Sequence, residues 1–238
     1  MFNEQPWPVE ELFDCLLDVV FFIKDNDGNY VVVNDTLVKR CGVQDKALLI
    51  GRTPSQVLGP DLGVSYEKQD RTVLKTGEPI INQLELHVYP NRSIGWCITN
   101  KRPLRDVEGN LTGLTGISQD LRAPDLSDDP DNELQVVMEY VADHLSEPPN
   151  IKVLSTISAL SAYQLDRRIR RVFGLSTGQW ILKQRLELAR QQLLQTNIPI
   201  AEIAFNAGYR EQSAFSRQFI RATGFTPSAF RKARKFDL

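Results

Sequence analysis

Four arginines, Arg167, Arg168, Arg170 and Arg171, fall within five positions of this 238-residue chain. Arginine carries a planar, permanently charged fork, so such a cluster suits phosphate oxygens or the O6/N7 edge of guanine. A related set recurs 50 residues on, with Arg217 matching Arg167 and Arg221 matching Arg171. The whole chain nevertheless has a formal charge of −2. Residues 1–123 hold 13 Lys+Arg against 17 Asp+Glu, residues 124–132 hold four Asp and no base, and residues 133–238 hold 15 against 9. From Ile151 onward the balance is 15 to 5. A basic half set against an acidic one hints at contact with a polyanion. A solvated surface explains charge alone equally well, so the direction in which the arginines face decides between the two.

Their positions follow from an internal repeat. At a shift of 50, Leu165 meets Phe215, Ile169 meets Phe219, Val172 meets Ala222, Gly174 meets Gly224, Ser176 meets Thr226 and Trp180 meets Phe230. Upstream the best shift is 49, pairing Ile151 with Ile200, Leu154 with Ile203 and Ser155 with Ala204. Each copy reads as a short helix, a tight turn, a second helix, a glycine stop and a capped helix start. Ser161-x-x-Gln164 and Ser176-x-x-Gln179 fit the capping box, Thr226-Pro227 a helix start, and Gly174 and Gly224 helix ends. Gly208 marks a sharp turn in the second copy, where the first has Ala159 or Ser158. At 100° per residue, Leu165, Ile169 and Val172 form one buried stripe, and Phe215, Phe219 and Ala222 form its counterpart. Tyr163, Asp166, Arg167, Arg170 and Arg171 then point outward, as do Ser213, Ser216, Arg217, Ile220 and Arg221. Arg168 lies on the flank. A short helix, a turn and a second helix with an exposed basic face form a helix-turn-helix suited to a DNA major groove. "TGQWILKQRLELARQQLLQT" joins the copies as one helix of about 18 residues, and readers in adjacent grooves would sit roughly 34 Å apart.

Before the repeat the pattern differs. "RAPDLSDDPDNE" reads as an exposed linker. Upstream of it, "VVFFIKDNDGNYVVVN" is a strand pair turning at Asp27-Gly28, and "INQLELHVYPNRSIGWCITNKRPL" is another, broken at Tyr89-Pro90-Asn91. Leu84, Leu86 and Val88 alternate with Glu85, His87 and Tyr89, so one face of that strand is apolar. "LTGLTGISQDL" is a last strand, and residues 35–76 are helical. The spacing of Leu12, Cys15 or Leu16, and Val19 predicts a helix over 8–20, packed on the sheet or meeting a second subunit. The fold class is thus two-domain: an N-terminal α+β antiparallel sheet of about five strands and a C-terminal all-α tandem helix-turn-helix.

"IPIAEIAFNAGYREQSAFSRQFIRATGFTPSAFRKAR" resembles the signature of AraC-type transcription regulators: I-x-x-I-A, G-[FY], S-x-F-x-R-x-F and G-x-[ST]-P-x-x-[FY]-R. The likeness spans 133–235 and is looser in its first half. It implies base-edge contacts from Tyr163, Asp166 and Arg167, then Gln212, Ser213, Ser216 and Arg217, and phosphate contacts from Arg170, Arg171 and Arg221. Asp166 departs from an all-basic face; it can accept from cytosine, but an i,i+4 pair with Arg170 is the favoured role. "FFIKDNDGNYVVVN", "LIGRTPSQVL", "VLKTGEPI" and "WCITNKRPLRDVEGNLTGLTGISQDL" resemble a PAS domain over about 12–122. The resulting division is a PAS-like sensor at 8–122, an acidic linker at 123–132 and a DNA-binding domain at 133–238. The implied partners are double-stranded DNA, a small-molecule effector, RNA polymerase and a second copy through the PAS domain.

The ligand itself stays unnamed. A flavin adduct needs a cysteine in surroundings unlike "VKRCGV" around Cys41. Haem in this fold usually takes a histidine from the helix at 62–76, which has none. Cys97 reads as a small buried hydrophobe. The default is a small organic metabolite in an apolar pocket, with an empty dimerising domain as the alternative. An enzyme is disfavoured: no HExxH, GxSxG, Walker loop or dinucleotide fingerprint occurs, and the two histidines, His87 and His144, lie in different domains. Three widely spaced cysteines, an odd number with no CxxC, argue against a disulfide framework or a cysteine zinc site. With no apolar run long enough for a membrane span and no basic leader in "MFNEQPWPVEELF", the expected location is the cytoplasm.

Overall fold

The computed structural model describes residues 8–59, 62–89, 94–121 and 133–233. They form two compact units, one built mainly on the chain up to Asp120 and the other on the chain from Leu121. The linker expected at 123–132 and the turn at Pro90-Asn91 fall outside the described residues.

The first unit is a five-stranded antiparallel sheet in the order β2-β1-β5-β4-β3. Its strands are β1 (Val19–Lys24), β2 (Tyr30–Val33), β3 (Ile80–Val88), β4 (Ile94–Arg105) and β5 (Leu111–Asp120). The Asp27-Gly28 hairpin forms as expected. Asp25 Oδ1 accepts from the backbone N–H groups of Asp27 (3.0 Å) and Asn29 (2.9 Å), and Gly28 takes the left-handed φ of +85° that the turn needs. Between β2 and β3 run α2 (Asp35–Cys41), α3 (Pro54–Leu58) and α4 (Leu62–Thr76). Val20, Phe22, Tyr30, Val33, Leu37, Leu49, Val73 and Leu114 make the core between sheet and helices. Burial of these side chains is the main stabilising term for such a unit.

One expectation for this unit needs correction. The helix at the N-terminus, α1, is only Pro8–Asp14; Val19 opens β1 instead of continuing a helical stripe. Phe13, not Leu12, lies on the sheet, stacked 4.1 Å from Phe21, while Leu12 is 68% exposed. The alternation in β3 places Leu84 and Leu86 on one face as expected. Leu84 and Leu86 are buried, and so are Gln83, Glu85 and His87 on the other side. That polar side lies under α4, whose Tyr66 and Gln69 reach His87 and Glu85. Alternating polarity signals a wet face only when nothing covers it.

The second unit is helical: α5 (Glu133–Asp143), α6 (Ile151–Ser158), α7 (Ala162–Phe173), α8 (Thr177–Gln195), α9 (Ile200–Asn206), α10 (Gln212–Thr223) and α11 (Pro227–Ala233). The repeat is visible in space, since α7 and α10 each have 12 residues with starts 50 apart. Leu165, Ile169, Phe215 and Phe219 are wholly buried, as are Leu154 and Ile203 at matched positions of α6 and α9. Val172 differs from its expected place, being half-buried where Ala222 is buried.

Candidate functional sites

The position of α7 is fixed at both ends. Ser161 and Gln164 close a reciprocal capping box, and Gly174 ends the helix at φ 69°. Before it, the chain turns through Ala159, which holds φ 55° although it is not glycine. Such a conformation places Cβ against the following carbonyl and is unfavourable for an L-residue. In the second copy the turn uses Gly208 at φ 77°, where a Cβ would sit 2.5 Å from the Leu145 carbonyl oxygen.

With the buried stripe of α7 inward, Tyr163 is 74% exposed and Arg167, Arg170 and Arg171 are exposed beside it. Arg168 on the flank pairs with Glu133 at the start of α5. Asp166 is more enclosed. Its Oδ1 accepts from the Thr177 backbone N–H (2.8 Å) and hydroxyl (3.0 Å), and its Oδ2 accepts from Arg170 Nε (2.7 Å). Partial burial opposes its ionisation, but the Thr177 and Arg170 hydrogen bonds outweigh that and hold its pKa below the ordinary value. Asp166 therefore joins α7 to the first turn of α8 and sets the Arg170 fork. The i,i+4 pair was legible in the sequence; the bond to Thr177 was not.

On α10, Gln212, Ser213, Arg217 and Arg221 are exposed and Ser216 is half-buried. Ser216 stands where Asp166 stands in the first copy. The ten residues singled out thus group as five on α7 and five on α10. Nothing in its local sequence marks Arg185 on α8. Its guanidinium lies 4.0 Å from the Tyr209 ring centroid and donates to the carbonyls of Ala207 (2.6 Å) and Gly208 (2.9 Å). It ties the second turn to the connecting helix and leaves Arg210, just beyond, exposed.

The first unit encloses a cavity between sheet and helices, with about 40 Å³ open to the centre of a water molecule. Its lining mixes apolar side chains, among them Val20, Phe22, Tyr30, Leu37 and Leu58, with buried polar ones. Asp70 on α4 bridges two buried lysines, Lys24 (2.5 Å) and Lys101 (2.7 Å). Burial pushes the Lys24 ammonium down to about 8, although Asp70 opposes the shift. Burial and the nearby Arg40 push His87 down to about 3, so its imidazole is neutral. Burial raises both Cys41 and Cys97 to about 12, so neither is a ready thiolate.

Comparison with known proteins agrees with the geometry. Residues 154–233 match the family model described as a helix-turn-helix domain, and residues 15–125 the one described as a PAS fold. Regulatory protein SoxS of Salmonella typhimurium is 38% identical over 98 residues, which are 41% of this chain and 92% of that protein. The chain belongs to the AraC-type DNA-binding transcription regulators. The arabinose operon regulatory protein of Escherichia coli strain K12 is 35% identical over 103 residues, covering 42% of this AraC-type chain and 35% of that one. The DNA-binding domain of AdpA, solved in complex with a target DNA, is 29% identical at a TM-score of 0.41, covering 44% of this chain and 93% of that one. The helix-turn-helix match at 154–233 falls on the C-terminal unit, where this AraC-type regulator carries its paired basic helices. Among the described residues, no helix is long and apolar enough to cross a membrane.

Proposed function

We propose that α7 and α10 are two readers of one double-stranded DNA site, and that the PAS unit adjusts their affinity in response to a small molecule. Tyr163, Arg167, Gln212, Ser213, Ser216 and Arg217 meet base edges in this reading, and Arg170, Arg171 and Arg221 meet phosphates. Asp166 serves the interface by orienting Arg170. The observation that carries the reading is the matched exposure of α7 and α10: Leu165 and Phe215, and Ile169 and Phe219, are buried, while Tyr163 and Ser213, Arg167 and Arg217, and Arg171 and Arg221 are open at the same positions 50 residues apart. A small molecule in the PAS unit would act by favouring one of two arrangements that differ in DNA affinity. RNA polymerase is the partner of a regulator acting this way, in the cytoplasm. A second role for the PAS unit, joining two copies, is favoured by Leu12 and Leu17, which are 68% and 76% exposed.

Selection of binding sequences from a random DNA pool by the full-length protein tests the reading. Arg217→Ala should then cost about 1–3 kcal/mol at one base pair and relax selectivity there, as loss of a bidentate base contact does. Equal weakening on every sequence would make Arg217 a phosphate contact instead.

A further inference from the structure

On α7 and α10, two large apolar side chains are left exposed, Tyr163 and Ile220. Tyr163 already belongs to the proposed base readers. Ile220 does not, although it is 36% exposed one position beyond the buried Phe219. With Ser213, Ser216 and Arg217 it follows the i, i+3, i+4, i+7 spacing of one helical face. That face is turned away from Phe215, Phe219 and Ala222, which are buried. Neither helix propensity nor the helix dipole favours isoleucine there. A β-branched residue is a weaker helix former than arginine or lysine, and the last turn of a helix favours a cation.

The first copy holds different residues at the matching positions. Ile220 stands where Arg170 stands on α7, and Ser216 where Asp166 stands. The i,i+4 ion pair of Asp166 with Arg170, at 2.7 Å, is thus replaced on α10 by a hydroxyl and an aliphatic group. On the proposed reading, an arginine in that slot extends to a phosphate. The shorter isoleucine stops at the edge of the groove. The apolar group that a base pair presents in the major groove is the 5-methyl of thymine, and it projects on the backbone side of its base.

We infer that Ile220 is a specificity-determining residue of α10 and packs on the 5-methyl group of a thymine. The inference rests on the reading of α10 as a base reader and adds a contact to it. Ile220 lies three residues beyond Arg217, about 4.5 Å of helix rise. Base pairs stack about 3.4 Å apart, so the thymine belongs within two base pairs of the pair that Arg217 reads. Burial of one methyl group changes a binding constant about fourfold.

The test uses the full-length protein and the DNA site it selects from a random pool, with affinities read by fluorescence anisotropy. Arg217→Ala first locates the base pair at which selectivity relaxes. Each thymine within two base pairs of it is then replaced by deoxyuridine, which lacks only the methyl group. One such replacement should weaken binding about fourfold. Ile220→Ala, which puts a good helix former at an exposed position, should bind the thymine and deoxyuridine sites equally. Ile220→Val should keep most of the discrimination. A measurement on the unmodified protein needs no variant: cytosine placed at the same position should bind about fourfold more tightly when it carries a 5-methyl group. A selected site with no thymine in that window would overturn the inference, and so would indifference of the unmodified protein to every methyl group there. Discrimination that survives in Ile220→Ala would overturn it too, by giving the methyl contact to another side chain. If Arg217→Ala weakens every sequence equally, the base-reading role of α10 falls and that of Ile220 with it. If Arg217→Ala relaxes one base pair and the methyl groups have no effect, the role of Ile220 falls alone.

Discussion

Replacing Asp166 by alanine removes three hydrogen bonds at once: 2.8 and 3.0 Å from Thr177, and 2.7 Å from Arg170. The Arg170 pair is on the surface, its guanidinium half exposed, and contributes at most about 0.5 kcal/mol. The two bonds from Thr177 weigh more, because Thr177 is buried and its N–H is one of the unpaired donors at the start of α8. Charge-assisted capping of this kind contributes roughly 1 kcal/mol per bond. The sum is about 2–3 kcal/mol, or roughly 10–20 °C in the melting temperature of a unit of about 100 residues. Asp166→Asn keeps one acceptor for Thr177 and should lose about half as much. The effect should vanish in acid. The folded-state pKa of Asp166 lies below the ordinary 3.8, so its contribution is complete above that value and is lost as pH falls through the folded pKa. Calorimetry on the full-length protein reads all three, with DNA selection on the same variants. If Asp166→Ala left the melting temperature within a degree or two and instead removed preference at one base pair, the carboxylate would be a base reader and the reasoning would be wrong.

Arg171→Ala should weaken binding about equally on all DNA sequences and make the log–log salt slope shallower by about 0.9, measured by fluorescence anisotropy across salt concentrations. Ala159→Gly should raise stability by about 0.5–1 kcal/mol, since relief of the positive φ exceeds the added freedom of glycine in the unfolded chain; denaturant titration reads it. Asp70→Asn should cost about 3–5 kcal/mol, because it leaves two buried lysines facing each other, whereas Lys24→Met leaves one pair intact and should be neutral or stabilising by about 1–3 kcal/mol. The Lys24 value of about 8 lies below the unfolded 10.5, so the unfolded chain holds more protons between the two and stability should rise with pH across that window. Lys24→Met should flatten that rise in melts taken from pH 7.5 to 10.5.

The DNA-binding half was legible because its periodicity, caps and stops are local. Ser161, Gln164, Gly174 and Ser176 act within a few residues of themselves, and the repeat supplied a second copy against which to check each position. The five strands were legible for a similar reason, through the Asp27-Gly28 turn and the period of two. The cavity was not. Glu85 and His87 look like a solvated face until α4, from elsewhere in the chain, covers them, and Asp70 finds Lys24 46 residues and Lys101 31 residues away. Asp166 lies between these cases: its tie to Arg170 is a matter of helical spacing, but its tie to Thr177 requires the turn at Gly174 to bring α8 back.

The 19-residue α8 connects the two proposed readers, α7 and α10, without a break, anchored to the first by Asp166 and to the turn before the second by Arg185. Inserting or deleting one residue there would swing everything downstream by about 100° and shift it by about 1.5 Å. Such a length change would put the second reader out of phase with a groove that the first still occupies. On the proposed reading of DNA by α7 and α10, the helix is a fixed ruler, and a change in target preference comes from side-chain exchange on those two helices and not from a gradual adjustment of the span between them.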